Sequence, residues 1–350
     1  SIKTWSLEWP GADATVPPCP QTIGTCRAGM QRWNNFVRDP KRKGLVYYAK
    51  RRTDPLKPHS SSRVSCYLNL GVISQFRLVH EVKLAQSSKV AGADKFEEEI
   101  VKWREMSYAH AFSRRNYHCV GSVPQWAIQW IEKEHRRSMN SFPPIIAGAD
   151  TTLVRLENGT TGNEKWDAMQ KYLVNTGELH NNVRMTWGKE LVHWGAKSHF
   201  LDDDDPESIK NDPITTILQN LCYLNDRYAL DGLSPPSYAG LLWCIGWSDR
   251  PGRDGGVSTK PASRYKTPAS AFQQAETLLM EGGCVREGDS NLNVGINSNP
   301  RGHQTSILSN FQNKGSIQNS GRSSGKKRKA SLDPSTKSSS MTLNHFFKKS

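Results

Sequence analysis

Cysteine in this chain is sparse and unpatterned. Cys19, Cys26, Cys66, Cys119, Cys222, Cys244 and Cys284 form no Cys-x-x-Cys pair and show no metal-ligand spacing. That argues against a zinc module, a dithiol redox site or a disulfide framework, and reduced thiols in a cytosolic or nuclear compartment are expected. No apolar run reaches the roughly 18 residues a membrane-crossing helix needs. The opening residues lack the charged and apolar regions of a secretory signal. The first residue is Ser1 rather than Met, so the chain reads as a fragment or a processed product. Strand-type alternation is scarce, and no internal repeat is visible. Acids are outnumbered, with 33 Asp and Glu against 47 Lys and Arg, a formal net charge of +14. Such an excess favours a polyanionic partner, either nucleic acid or an acidic membrane surface.

What is present is organised by helix-period apolar spacing. Residues 1–27 carry Pro10, Pro17, Pro18 and Pro20 and read as a linker. Residues 28–250 are mostly helical in pattern: 30–48, interrupted at Asp39-Pro40, then 95–112, 124–136, 164–176, 181–195, 213–229 and 238–245. The expected fold class is all-α. Residues 251–281 read as an irregular extension with a weak helix near 270–281. From 282 to 350 Ser, Asn, Gly, Lys and Gln dominate, and too few large apolar side chains remain to offset chain entropy, so a disordered basic tail is expected. Residues 301–350 hold ten Lys and Arg and one acid, Asp333, a net of +9. Most of the excess charge therefore sits in the tail, and the folded part is only mildly basic.

Four segments carry side chains suited to chemistry. The run Ser60-Ser61-Ser62-Arg63-Val64-Ser65 precedes the apolar Tyr67-Leu68. Clustered hydroxyls and amides ahead of a helix can hold a phosphate, and Arg63 adds charge; alone, such a run is an ordinary serine loop. Glu99 and Trp103 stand four apart and share a helix face. A carboxylate beside an indole can bond to and stack on a flat heterocycle, or it can be a surface acid beside a core indole. Arg104 points elsewhere on that helix and can reach a phosphate. Arg184 and Trp187 lie three apart, and Trp187 and Trp194 seven apart on one face, a stripe that serves packing or an electron path equally. Asp231 is an acid able to pair with Arg184 under low dielectric.

In this order, Ser62-Arg63-Val64-Ser65-Cys66-Tyr67-Leu68, Trp103-Arg104-Glu105, Arg184-Met185-Thr186-Trp187 and Leu224-Asn225-Asp226-Arg227-Tyr228 leading to Leu230-Asp231-Gly232 resemble the FAD-binding domain of the photolyase/cryptochrome family. The resemblance covers about residues 28–250. The Glu99-to-Trp103 spacing and the Leu-Asn-Asp-Arg-Tyr string bring it nearest the class II photolyases. It implies a photolyase-type helical domain that holds FAD in a bent shape. It also implies light-driven repair of cyclobutane pyrimidine dimers by electron transfer from reduced FAD, with UV-damaged DNA as partner.

By the same resemblance, Tyr48, Ser62, Val64, Ser65 and Arg104 match positions around the FAD phosphates and ribityl chain. Arg184 and Asp231 match the pair beside the isoalloxazine, and Asn225 the asparagine facing flavin N5. Glu99, Trp103, Met185 and Trp243 match residues that hold the flipped-out dimer. Trp187, Trp166 and Trp194 match the tryptophan chain that passes electrons to the flavin. Arg52 and Arg250 fall where family arginines meet the DNA backbone. A monomer with no metal and no membrane partner is expected. A cryptochrome-like photoreceptor without repair activity and a flavin-free DNA-binding protein are the alternatives.

Several positions depart from the family pattern. Cys66 stands for the usual Pro, Asn69-Leu70-Gly71-Val72 for His-Phe-Gly-Gln, and Leu233-Ser234-Pro235-Pro236-Ser237-Tyr238 for Arg-Asp-Pro-Asn-Gly-Tyr. An acidic insertion, Asp202 to Asp205, lengthens the loop after Trp194. The family's N-terminal antenna domain is expected to be missing.

The tail adds two motifs. Lys326-Lys327-Arg328-Lys329 reads as a nuclear localisation run or an electrostatic DNA contact; an organellar address is left open. Leu343, Phe346 and Phe347 would form one apolar face of a short helical turn, with lysines following. They resemble the motif by which repair proteins dock on the sliding clamp PCNA, with Ser340 in place of the usual Gln.

Overall fold

A computed structural model describes residues 18–140, 151–197 and 212–258, together with Asp13, Thr15 and Val16. Among the described residues every regular element is helical, as the periodicity requires. Helix α1 spans Cys26–Arg38 and begins at Thr25, whose hydroxyl accepts from the Ala28 amide. Asp39-Pro40 stops it, because proline cannot continue the ladder and restrains the residue before it. Helix α2 then runs Gly44–Arg51, so the interrupted 30–48 pattern is two helices. Short α3, Ser65–Asn69, and α4, Gln75–Ser87, follow. Neither stood out in the sequence as a separate helix. In α4 the apolar stripe is only Leu78, Val82 and Ala85, and Phe76, 78% exposed, sits off it.

The expected 95–112 helix is broken in character. Helix α5, Ala93–Glu97, passes into a π-helical turn over Glu98–Trp103 and then into α6, Arg104–Ser113. The remaining helices are α7 (Gln125–Met139), α8 (Leu153–Asn158), α9 (Glu164–Thr176), α10 (Asn181–Lys197), α11 (Pro213–Tyr228) and α12 (Pro235–Cys244). Caps set their starts. Asn163 caps α9, Asp212 caps α11 and Ser234 caps α12, the last two with proline in the first turn.

The core is built around α10, which is buried on nearly every side and packs on α7, α11 and α12. Its Gly188 makes the contact with α12 possible: a Cβ there would lie 2.5 Å from Cys244 Sγ. A second core joins Trp33, Phe36, Tyr48 and Phe96 edge-on and tilted beneath α2 and α5. The chain just after Arg250, at the start of the expected irregular extension, has no helix or strand through residue 258 and lies against α10. His193 Nε2 meets the Val257 carbonyl at 2.9 Å, and buried Lys189 reaches Asp249 at 2.9 Å and Ser258 at 3.0 Å. The remainder of that extension, the Asp202 to Asp205 insertion and the 282–350 tail with both its motifs lie outside the described residues.

Candidate functional site

Two adjoining chambers, of about 560 and 340 Å³, open between the 48–65 segment, the π-turn and helices α10 and α12. Their sizes suit a cofactor or a base-sized ligand. They meet at a neck where Ser61, Arg63, Ser65, Glu99 and Arg104 line both.

The larger chamber has an aromatic wall. Trp103 and Trp243 face each other with ring centroids 5.5 Å apart, and Trp247 continues the wall 6.4 Å from Trp243. Met185, Tyr48 and Ser62 also line it. The π-turn accounts for one surprise. Arg104 was expected on a different face from Glu99 and Trp103, yet all three border this chamber. A turn closed by i to i+5 bonds is wider than an α-turn, so positions four and five ahead both return to the same side.

Glu99 is held by two cations. Arg52 and Lys95 (2.9 Å) both meet its Oε1, and no contact to Oε2 is found among the described residues. Arg52 also lies over the Tyr48 ring and hydrogen-bonds to its hydroxyl. Burial opposes the Arg52 charge, but Tyr48 and Glu99 outweigh it and hold the guanidinium protonated. Its place is thus in the wall of the larger chamber. Arg250 is exposed and lies off the cavity.

The smaller chamber is charged. Arg184 Nη2 reaches Asp231 at 2.6 Å, the pairing the spacing suggested, and Arg184 Nη1 donates to Ser237 Oγ at 3.0 Å. The Ser237 hydroxyl donates a hydrogen bond to Asn225 Oδ1 at 3.0 Å. Asn225 is buried behind that hydroxyl, so Ser237 rather than Asn225 lines the chamber. Asn225 Nδ2 in turn donates to Asp226, which also accepts from Tyr238 at 2.5 Å.

Sequence reading missed Glu178. Its carboxylate bridges Arg32 at 2.6 Å and Arg63 at 2.8 Å and borders the smaller chamber. Burial pushes its pKa up, but Arg63 and Arg32 outweigh it and hold the group at about 2. Nothing local marks Glu178, since its partners lie 146 and 115 residues away in sequence. Trp247, four residues past Trp243, was missed as well. Cys66, the residue in place of the family proline, is buried at the edge of the smaller chamber. Burial, then Glu178, pushes its thiol up to about 12, so it is an inert filler.

Trp187, Trp166 and Trp194 form one contact chain, with Trp166 in the middle. Its ring stacks on Trp187 at 6.1 Å and tilts against Trp194 at 5.4 Å. Each inner indole is anchored: Trp166 donates to the Trp187 carbonyl, and Trp187 to Gln170.

The donor set fits a ligand that combines a flat ring system with phosphates. Indoles and Met185 offer stacking, neck hydroxyls offer hydrogen bonds, and the cations around the neck outnumber the acids. Arg52, Arg63, Lys95, Arg104 and Arg184 face Glu99, Glu178 and Asp231.

No protein-family model matches the chain. Curated relatives named deoxyribodipyrimidine photo-lyase do. The protein from Arabidopsis thaliana is 29% identical over 215 residues, covering 60% of this chain and 38% of its own. Its counterpart from Methanothermobacter thermautotrophicus is 29% identical over 227 residues, 65% and 43% of the two chains. That from Potorous tridactylus is 29% identical over 229 residues, 64% and 38%. The chain spans about two fifths of the length of the curated relatives it matches. Over about 60% of its own length, the chain shows distant homology to deoxyribodipyrimidine photo-lyases.

Proposed function

We propose that this chain is the flavin-binding and lesion-holding part of a light-driven enzyme that splits cyclobutane pyrimidine dimers in DNA, of the class II type. One observation carries the reading: a charged chamber and an indole-walled chamber meet across a single neck. The chemistry such a site would draw from bound FAD is donation of one electron to the dimer under light.

The chain's own residues bind, orient and exclude water. Ser62, Ser65 and Arg104, with the backbone at Val64 and the Tyr48 ring, hold the phosphate and ribityl part. Arg184 and Asp231 fix opposite charges beside the isoalloxazine, and Asn225 acts on it through Ser237. Trp103 and Trp243 clamp the extruded bases from the side, with Met185 beneath. Arg52 and Lys95 hold Glu99 by one oxygen, which leaves Oε2 to take a hydrogen bond from a base edge. Trp194, Trp166 and Trp187 relay electrons inward through touching rings.

The purified protein is expected to be yellow, with a flavin absorption band, and to remove dimers from irradiated DNA under blue light. Yellow protein without repair would make it a photoreceptor of the cryptochrome kind. Colourless protein that takes up no added FAD would reject the flavin reading. For the tail we propose nuclear import through Lys326–Lys329 and clamp docking through Leu343, Phe346 and Phe347. Replacing both phenylalanines with alanine is expected to abolish PCNA binding, and unchanged binding would remove the docking assignment.

A further inference from the structure

We propose that Arg63, held in place by Glu178, is a phosphate-binding residue at the neck of the cavity and sets its preference for flavins that carry a diphosphate over those that do not. The inference rests on the flavin reading above and adds to it two residues, one ligand and one positioning group.

The argument begins with unspent hydrogen-bond donors. Arg32 has both Nη groups engaged: Nη1 serves Glu178 and the Arg63 carbonyl, and Nη2 serves the Gln21 carbonyl and Thr22. Arg63 does not. Only its Nε is engaged, with Glu178 Oε2 at 2.8 Å, and both Nη groups lack partners among the described residues. They are not sealed in, because Arg63 lines both chambers. Four N–H bonds of a largely buried guanidinium therefore face the neck, where an apolar or neutral ligand would leave them costly to desolvate.

The local charge is also unbalanced. Two guanidinium groups share one carboxylate, so the Arg32, Glu178 and Arg63 group carries a net single positive charge. Across the neck Arg104 has, among the described residues, the neutral hydrogen-bond partners Gln75 and Tyr108. An anion seated between Arg63 and Arg104, near the Ser61 and Ser65 hydroxyls, completes both. A planar fork aimed by its Nε is the geometry that takes two phosphate oxygens at once. The aim is built into the backbone. Arg63 sits at φ 53°, in the left-handed region that arginine seldom adopts, and this turn sends its carbonyl to Arg32 while the side chain reaches Glu178. A triad meant only to tie the fold together would spend the Nη groups on protein.

The test compares two ligands on the full chain. After bound flavin is released, FAD and riboflavin, which lacks the phosphates, are titrated in separately and followed by flavin fluorescence. Arg63→Gln is expected to weaken FAD roughly 10- to 100-fold, the loss of one or two charge-assisted hydrogen bonds, with riboflavin unchanged. Arg63→Lys, which keeps the charge but not the fork, should recover part of the preference. Glu178→Met, which removes the group that aims Arg63, should lower the FAD-to-riboflavin preference in the same direction. An equal loss for both flavins, or an unchanged preference in Arg63→Gln, would overturn the assignment. An unchanged preference in Glu178→Met would overturn the positioning role. Wild-type protein that binds neither flavin would instead sink the flavin reading itself.

Discussion

Glu178 makes a stability prediction that is independent of any ligand. In the fold its pKa drops from the ordinary 4.5 to about 2 because two guanidinium groups outweigh its burial. At 1.36 kcal/mol per pH unit that difference is worth about 3 kcal/mol, and the side chain is 17% exposed, so about 2–3 kcal/mol is the working figure. A carboxylate with a depressed pKa stabilises the fold fully above its unfolded value, and the contribution is lost as pH falls from about 4.5 through about 2. Glu178→Gln removes the titration and nearly keeps the shape. Urea unfolding of both proteins between pH 7 and pH 3 should show wild type ahead by about 2–3 kcal/mol at pH 7, with the gap roughly halved at pH 3. Taking the difference between the two cancels the other carboxylates. A gap of constant size would mean that packing, not charge, is what Glu178 contributes, and the electrostatic account of the neck would fail.

Three further outcomes are expected. Trp166→Phe should leave flavin content intact yet slow photoreduction of bound flavin tenfold or more, read from absorbance under blue light; an unchanged rate would exclude the indole chain as the route. Gly188→Ala should lower stability by about 1–2 kcal/mol in urea, because a Cβ placed 2.5 Å from Cys244 Sγ costs more than the roughly 1 kcal/mol that helix propensity returns. Trimming the neighbour with Cys244→Ala should shrink that penalty. His193 is buried against Trp130 and Val257, and burial then Lys197 lower its pKa from 6.5 to about 4. Its share of stability should be present above pH 6.5 and fade as pH falls toward 4. NMR titration of the ring should find it neutral at pH 5, and a ring already charged there would contradict the packing.

Much of this site was legible because helical spacing is local. Four-residue steps put Glu99 with Trp103, and one motif brought Arg184 near Asp231 once α10 and the α11–α12 turn were in place. The strings around Trp187 and Trp194 suggested a stripe. The structure shows that, among the described residues, the two indoles are joined by ring contacts to Trp166, contributed by α9, and periodicity within one helix could not reveal that. The inward pairing of Arg52 and the place of Glu178 were not legible, for a related reason. A charged side chain carries no sequence mark of which way it faces. Arg52 turns inward only because Glu99 and Tyr48 await it on other segments, and Glu178 ionises in the interior only because Arg32 and Arg63 converge there. Helix α4 escaped notice because its buried stripe is thin, and tertiary contact supplies what amphipathicity does not.

The widened turn at Glu98–Trp103 has an implication of its own. A π-turn is a single surplus residue lodged in a helix, kept against the tighter and more favourable winding. Removing one residue between Glu98 and Trp103 would let α5 run straight into α6, and the relaxed protein should melt at a higher temperature. The same cut would shorten the spacing from Glu99 to Trp103 and Arg104 and lose the wide turn that lets all three share one wall. At this one place, then, the chain stays slightly miswound so that an acid, an indole and a guanidinium can look into the same space.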